Sequence, residues 1–301
     1  MEYIRLNNGV EMPKLGLGVF QMTDEQVAEA VPAALDAGYR LIDTASRYYN
    51  EKALGAALDK TSVPREELFI TTKLWFKDHG YEQTKTALQV SLDNLGLDYL
   101  DLYLIHQPFG DYYGAWRAME DLLDEGKIRA IGVSNFFPDR YLDLVVHNRV
   151  VPAVNQRETH PFNQQIDMHD LAAKHGTILQ AWSPLAQGNP EVLNDPTLTA
   201  IAQAHGKTLP QVILRWLIQR DIPRRRQEHP RAAAAREHRG VRLPAHRRRD
   251  GGHRGTRPRP IEHGVHPPGP PNAGASTHPP VTREEAADDV VSCPQLGSLC
   301  I

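Results

Sequence analysis

The sequence predicts an α/β fold, a (β/α)8 barrel of the TIM type that ends before its eighth strand. Between Leu15 and Ile222, seven short apolar runs alternate with amphipathic stretches. This alternation is typical of parallel strands that are joined by right-handed helical crossovers. The first strand-to-helix turn carries Gly16 and Gly18 but no third glycine that opens a helix, so an open dinucleotide-binding sheet is disfavoured. A closed barrel is therefore the predicted architecture.

The seven predicted strands are nearly continuous apolar runs, as expected for strands that are covered on both faces. They comprise residues 15–20, 40–45, 68–75, 100–106, 128–135, 152–158 and 177–185. An eighth strand should follow the last predicted helix, which Thr208 caps and which runs to Arg220. The chain begins such a strand at residues 221–223 and then continues with three arginines, so seven of the eight units are predicted.

Amphipathic stretches between the runs predict the helices. Thr23 and Gln26 form a capping box at the start of the first helix. Pro32 falls inside this helix and predicts that the helix kinks or ends early. Two further helices carry apolar stripes that end at glycines, the first at Gly96 and the second at Gly126. Each helix therefore has one apolar face to place against the strands.

The charge balance divides the chain into two parts. The formal net charge of the 301 residues is −3, but residues 1–222 carry 20 basic and 29 acidic side chains. Residues 223–301 carry 14 arginines, no lysine and 8 acidic side chains, together with 12 prolines, 7 histidines and no aromatic residue. Such a composition cannot bury enough apolar surface to offset its conformational entropy. We therefore predict a folded domain over residues 1–222 and a disordered tail over residues 223–301.

Composition also excludes several classes of protein. The acidic balance of residues 1–222 disfavours a nucleic-acid-binding domain, so nucleic acid is not an expected partner. Both cysteines, Cys293 and Cys300, lie in the tail, so no disulfide framework or cysteine-based zinc site supports the fold, and no metal is expected. No apolar run reaches the length of a membrane span, and the first sixteen residues do not resemble a signal sequence. We expect a monomeric cytoplasmic protein without a membrane partner.

Polar side chains follow the predicted strands at the end where a barrel is open. In such a barrel the C-terminal ends of the strands and their loops form one face, on which functional groups lie. The side chains in question, from the second, third and fourth strands and their loops, are Asp43, Tyr48, Lys73 and His106. Aspartate and lysine are almost never buried without a partner, so Asp43 and Lys73, which lie on adjacent strands, are expected to pair.

Tyr48 and His106 are expected to converge on this pair. An ammonium group beside a phenol stabilises the phenolate, so the pKa of Tyr48 is expected to fall towards neutral pH. Such a tyrosine can act as a general acid, and His106 can hydrogen-bond a carbonyl oxygen. The combination suits protonation of a developing alkoxide during the reduction of a carbonyl group by hydride transfer.

Each of these residues also has a purely structural explanation. An aspartate–lysine pair at strand ends is often a structural ion pair, and a histidine after a strand is often a satisfied core or loop group. Tyr48 could pack at the rim, and the polar residues that end later strands could cap loop backbone. This explanation is weakened because all of these residues fall at one end of successive strands.

Six segments resemble the signatures of the aldo-keto reductase family in order and spacing. They are LIDTASRYYNE (41–51), FITTKLW (69–75), DLYLIHQP (101–108), GKIRAIGVSNF (126–136), AVNQRETHP (153–161) and SPLAQG (183–188). The resemblance covers residues 1–222 and is strongest to the bacterial 2,5-diketo-gluconate reductase branch. It implies a barrel whose base is covered by an N-terminal hairpin. It also implies reduction of an aldehyde or ketone, keto-sugar acids among them, with NADPH as the cofactor.

The resemblance implies a role for each matching residue. Tyr48 would be the proton donor, Lys73 would lower its pKa, and Asp43 would hold Lys73. His106 would orient the carbonyl group of a small substrate. The positions that match the cofactor site, from the nicotinamide to the pyrophosphate, are Ser134, Asn135, Gln156, Trp182, Ser183, Leu185, Gln187 and Gly188. The positions that match the substrate pocket are Val19, Phe20, Trp75 and Phe109.

Three features depart from the family pattern. Tyr49 stands where the family often has glycine, and Gln107 stands where it often has tryptophan. The third departure is an absence. In the family an eighth strand follows, together with a Lys-Ser…Arg…Asn segment that holds the adenosine end of NADP(H), and residues 223–301 contain no counterpart of either. The chain as written is therefore expected to bind NADPH weakly and to be poorly soluble. The choice between NADPH and NADH stays open.

The tail has two interpretations. A basic disordered arm could bind nucleic acid, in a chain whose reductase activity is impaired or lost. We prefer a reading frame that shifts near Pro223. The codons of Glu237–Pro244, read one base later, permit the sequence Asn-Ile-Ala-Val-Phe-Asp-Phe, and the neighbouring codons permit the rest of the missing segment in family order.

A different enzyme class also remains open for the folded domain. A barrel lysine such as Lys73 could form a Schiff base in an aldolase. Asp43 argues against this, because a paired lysine stays protonated.

Overall fold

Seven parallel strands form the central sheet, in the order in which they occur along the chain. They are β3 (Gly16–Gly18), β4 (Leu41–Asp43), β5 (Phe69–Leu74), β6 (Leu102–Ile105), β7 (Ile131–Ser134), β8 (Val154–Glu158) and β9 (Ile178–Trp182). Three short strands accompany them: β1 (Tyr3–Arg5) and β2 (Glu11–Pro13), which precede the sheet, and β10 (Leu299–Cys300). The computed structural model describes residues 1–220 and, for the backbone alone, residues 299–300. Strands β3 to β9 lie within the seven predicted runs, so the α/β barrel prediction is confirmed for these units.

Helices follow the parallel strands and cover the sheet. They are α1 (Asp24–Asp36), α2 (Glu51–Leu58), α3 (Tyr81–Leu95), α4 (Tyr112–Asp124), α5 (Pro138–His147), α6 (Ile166–Lys174), α7 (Pro190–Leu193), α8 (Pro196–His205) and α9 (Leu209–Arg220). The predicted capping box of Thr23 and Gln26 is present at the start of α1. The predicted early end at Pro32 is wrong, because α1 continues to Asp36. Tertiary packing of its buried face offsets the backbone hydrogen bond that proline removes.

A hairpin covers one end of the barrel. Strands β1 and β2 pair antiparallel, and the buried side chains of Leu6 and Met12 pack against the first residues of the barrel strands, among them Leu41 and Phe69. These contacts lie at the N-terminal ends of the parallel strands. The hairpin that the resemblance implied is therefore present, and the C-terminal ends of the strands form the opposite, open rim.

Strand β3 has a partner on its outer side. Leu299 and Cys300 pair antiparallel with Leu17 and Gly16. A barrel without its eighth strand would leave this edge of β3 unpaired, and Leu299 and Cys300 occupy it instead, since two extended residues are enough to pair with so short a strand. The predicted disorder of the tail otherwise concerns residues that lie outside those described, and it stays a prediction.

Two features are absent from the described residues. No helix within residues 1–220 combines the length and the mean hydropathy that crossing a bilayer requires, and the longest of them, α3, has 15 residues. In the same part of the chain, no group of three or more histidine, cysteine, aspartate or glutamate side chains is arranged to hold a metal ion.

Candidate active site

An ion pair is buried at the C-terminal ends of β4 and β5. The side chains of Asp43 and Lys73 are 2% and 1% exposed. Lys73 Nζ donates to Asp43 Oδ1, to the backbone oxygen of Thr44 at 2.9 Å and to the phenolic oxygen of Tyr48 at 3.2 Å. An ammonium group has three protons, so each of them can serve one of these acceptors. The predicted pairing of Asp43 with Lys73 is confirmed, and Tyr48 joins the pair.

A short 3-10 helix, Ser46–Tyr48, brings the phenol to Lys73. The hydroxyl of its first residue donates to the backbone oxygen of Lys73 at 3.0 Å and so fastens the helix to β5. The buried side chain of Asn50 holds the loop from the other end: its Oδ1 accepts a hydrogen bond from Thr44 Oγ1 at 3.0 Å, and its Nδ2 donates at 2.8 Å to the backbone oxygen that follows β3. Thr44 and Asn50 were not predicted as site residues, although both lie inside the LIDTASRYYNE segment.

His106 follows β6 and faces the phenol across the rim. Its ring lies edge-on to that of Tyr48, with 5.8 Å between the centroids, and edge-on to that of Trp75 at 5.1 Å. Burial, and secondly the charge of Lys73, lower the pKa of His106 from 6.5 to about 3. The imidazole is therefore neutral at physiological pH. Its Nδ1 is buried and has no hydrogen-bond partner among the residues that the structure describes.

Gln156 connects the ion pair to the far side of the barrel. Its Nε2 donates to Asp43 Oδ2 at 2.8 Å and to Gln180 Oε1 at 2.9 Å, and all three side chains are buried. Asp43 therefore has one oxygen on Lys73 and the other on Gln156. We predicted Gln156 as a nicotinamide-binding residue, and the structure adds a second task, holding the carboxylate of Asp43. Gln180, on β9, was not predicted, because a glutamine in a strand carries no distinctive pattern.

Asn135, which directly follows β7, connects the ends of β6 and β9 at the same rim. Its Nδ2 donates to the backbone oxygen of His106 and to Ser134 Oγ, both at 3.1 Å, and its Oδ1 accepts from Trp182 Nε1 at 3.1 Å. Its φ of 62° lies in the left-handed region, which asparagine tolerates better than most residues. The predicted residues Ser134, Asn135 and Trp182 are thus brought together within one hydrogen-bonded group.

The loop after β9 carries the remaining predicted cofactor residues. Ser183 and Gln187 have φ values of 48° and 54°, in the left-handed region, so the backbone of the loop turns sharply at both residues. Gln187 and Gly188 are exposed, whereas Leu185 packs against the apolar cluster that contains the buried face of α9. The structure therefore places this segment at the rim, beside Trp182, and its contact with a cofactor stays a prediction.

One aromatic side chain, Phe20, contacts the ring of Tyr48, and Phe109 belongs to a second aromatic pair. The ring of Phe20 lies 4.8 Å from that of Tyr48, and Phe109 lies edge-on to Phe76 at 5.8 Å. Phe20 and Phe109 are both exposed, as expected of side chains that contact an apolar ligand only when it is bound. Val19, by contrast, is fully buried within the core cluster, so its predicted place in the substrate pocket has no support from its position.

Comparisons with known proteins show which proteins the chain resembles. A model of the aldo/keto reductase family matches residues 14–241 of the chain. The glyoxal reductase of Bacillus subtilis is 48% identical over 231 residues, which are 75% of this chain and 83% of that protein. The morphine 6-dehydrogenase of Pseudomonas putida is 45% identical over 233 residues, which are 73% of this chain and 79% of that protein.

A solved structure supports the same conclusion at the level of the fold. The crystal structure of a Bombyx mori aldo-keto reductase in complex with NADP superposes with a TM-score of 0.69 at 38% identity, and the match covers 73% of this chain and 80% of that one. The sequence, the fold and the polar side chains at the strand ends thus indicate the same family. The chain belongs to the aldo/keto reductase family.

Proposed function

We propose that the chain reduces an aldehyde or ketone to the alcohol by hydride transfer from NADPH, with Tyr48 as the general acid. The observation that carries this proposal is the contact of 3.2 Å between Lys73 Nζ and the phenolic oxygen of Tyr48, at the rim that also carries His106. The similarity to a glyoxal reductase and to a morphine 6-dehydrogenase supports oxidoreductase chemistry at a carbon–oxygen bond.

The proton of Tyr48 is held where a ligand oxygen can take it. The ammonium group of Lys73 stabilises the phenolate that remains after transfer, which lowers the cost of giving up the proton. Asp43 keeps Lys73 in place and Gln156 keeps Asp43 in place, so the charge that acts on the phenol is fixed before any ligand arrives. Such preorganised electrostatics is a large contribution to enzymatic rate enhancement.

His106 orients the carbonyl group in this proposal. Because its pKa is about 3, the ring is neutral and has one N–H to donate to the carbonyl oxygen. A charged imidazolium beside Lys73 would be repelled and would compete with Tyr48 as a proton source. The neutral ring therefore leaves the phenol as the acid and contributes orientation.

The polar groups of the rim fit the nicotinamide end of NADPH. A carboxamide needs both donors and acceptors, and Ser134, Asn135 and Gln156 offer a hydroxyl and two amides beside the half-buried indole of Trp182. Bound NADPH supplies the hydride. The residues of the loop 183–188 would accompany the pyrophosphate. The Bombyx mori structure was solved with NADP, which supports the choice of cofactor.

The experiment that tests the proposal compares Tyr48→Phe with the unmodified chain. NADPH oxidation with glyoxal as substrate is followed by absorbance, and NADPH binding is followed by protein fluorescence. Loss of general acid catalysis should lower kcat by at least about a hundredfold while NADPH binding stays unchanged. The matched control is Tyr3→Phe in the exposed hairpin, which should keep the full rate. A Tyr48→Phe chain that retained its rate would refute the assignment.

Several finer predictions accompany this function. Residues 223–301, nearly all outside the described part of the chain, contain no counterpart of the segment that holds the adenosine end of NADPH in the family, and weak binding of NADPH stays a prediction. A fluorescence titration of the full chain tests it, and tight binding would contradict it. A keto-sugar acid as substrate, a monomeric state and a cytoplasmic location also stay predictions.

A further inference from the structure

Arg47 lies beside the proposed acid and points its charge at the aromatic rim. It is the exposed middle residue of the 3-10 helix that ends with Tyr48. Its guanidinium carbon lies 4.8 Å from the ring centroid of Tyr49 and 5.6 Å from that of Trp75. Trp75 in turn contacts His106. One indole ring therefore separates the guanidinium group from the side chain that is proposed to orient the carbonyl.

The positive charge of Arg47 has no acidic partner in the part of the chain that the structure describes. Within residues 1–220, no carboxylate oxygen lies within 4.0 Å of its guanidinium nitrogens, whereas Arg65, Arg129 and Arg149 each pair with an aspartate at 2.7 Å. Arginine stacks readily on aromatic rings, and this leaves the hydrogen-bonding edge of the guanidinium group available. An unmatched arginine beside a catalytic rim is suited to bind an anion.

Tyr49 adds a second observation, which is independent of charge. Its φ of 60° lies in the left-handed region, and its side chain is 76% exposed. A left-handed conformation costs a residue other than glycine about 1–2 kcal/mol. Such conformations persist where the surrounding structure enforces them, and they cluster at functional sites. Here the conformation holds a phenol ring against Arg47.

We propose that Arg47 binds a carboxylate group of the substrate, so that the preferred substrates are aldehydes or ketones that carry a carboxylate. This inference rests on the proposed reduction of a carbonyl group at the same rim. A planar guanidinium group can accept a carboxylate in a two-point contact, with Tyr49 and Trp75 holding its plane. The carbonyl oxygen of the same molecule then reaches Tyr48 and His106.

The experiment compares two aldehydes that differ only in the carboxylate, 4-oxobutanoate and butanal. Binding to the full chain is measured by calorimetry with NADP present, and turnover is measured by NADPH oxidation. In Arg47→Met, which keeps an apolar stem against the rings, we expect KM and Kd for 4-oxobutanoate to rise about tenfold with kcat nearly unchanged. The values for butanal should not rise. Arg47→Lys keeps the positive charge and loses the planar guanidinium group. Its KM and Kd for 4-oxobutanoate should lie between those of the unmodified chain and those of Arg47→Met.

Control variants and salt separate this inference from a general loss of structure. Arg117→Met, at an exposed position on α4, should leave KM and Kd unchanged for both aldehydes. Raising the salt concentration from about 50 to about 300 mM should weaken binding of 4-oxobutanoate and leave butanal unaffected. Tyr49→Gly should weaken binding of 4-oxobutanoate by a smaller factor than Arg47→Met, because it removes the support and keeps the charge.

The outcomes distinguish the two proposals. If neither aldehyde is reduced, the proposed function fails, and the calorimetric comparison still decides the role of Arg47. If 4-oxobutanoate binds equally well to the unmodified chain and to Arg47→Met, or binds to neither, the inference about Arg47 is overturned. If butanal loses affinity as much as 4-oxobutanoate does, Arg47 shapes the rim without binding the carboxylate, and the inference is overturned as well.

Discussion

Replacing His106 by glutamine should make the folded chain more tolerant of acid. Burial and the charge of Lys73 lower the pKa of His106 from 6.5 to about 3. At pH values between these two pKa values, His106 is protonated in the unfolded chain and neutral in the folded chain. Its contribution to the unfolding free energy is therefore fully present above pH 6.5 and is lost as the pH falls towards 3. Glutamine has no proton to bind, so the variant lacks this loss.

The size of the effect follows from the two pKa values. Each pH unit inside this window costs about 1.4 kcal/mol, so lowering the pH from 8 to 5 removes about 2 kcal/mol of unfolding free energy through His106 alone. Other titrating groups contribute equally to both chains, and their contributions cancel in the difference between wild type and variant.

Urea denaturation at pH 8 and at pH 5 measures this difference. The unmodified chain should lose about 2 kcal/mol more than His106→Gln between the two pH values. His205→Gln, at the exposed end of α8, serves as a matched control and should behave like the unmodified chain. Equal losses in wild type and His106→Gln would refute the reasoning, because they would show that the imidazole titrates alike in the folded and the unfolded chain.

Three further substitutions test other contacts. Lys73→Met should lower the unfolding free energy by about 3–5 kcal/mol in the same denaturation assay, because it leaves the carboxylate of Asp43 buried without its cation. A double variant, Asp43→Leu with Lys73→Met, should lose less unfolding free energy than Lys73→Met alone. Gly132→Ala should cost about 1–3 kcal/mol by thermal unfolding, because its Cβ would lie 2.6 Å from the backbone oxygen of Val154. Asp101→Ala should cost about 1–3 kcal/mol by urea denaturation, because a buried N–H of β5 loses its acceptor, and an unchanged midpoint would contradict the assigned bond.

The fold was predictable where hydrophobic burial decides it. The seven apolar runs contain the seven parallel strands, because strands covered on both faces need such runs. Boundaries were less predictable: the run 15–20 contains only three strand residues, Gly16–Gly18, since Val19 on the adjoining loop is also buried. The pairing of Leu299–Cys300 with β3 was not predictable, because a strand of two residues has no periodicity.

The site was predictable where a charge needs a partner. Asp43 and Lys73 lie on adjacent strands, and their burial requires them to meet. The contact of Asn135 with Trp182 was not predictable, because it depends on a left-handed backbone at Asn135 that the sequence pattern does not reveal. The position of Arg47 against Tyr49 and Trp75 was not predictable either, because it depends on the fold of the loop and not on a sequence motif.

The hairpin at the base of the barrel has a consequence for the order in which the chain folds. Asn7 donates hydrogen bonds to the backbone oxygens of Val151 and Pro152, and Asn8 donates to that of Arg129, so their acceptors lie 121 to 145 positions later in the chain. The ribosome synthesises the hairpin well before these acceptors. The hairpin must therefore wait for the entrances to β7 and β8 before it can dock, and its amide protons should gain protection from exchange late in refolding.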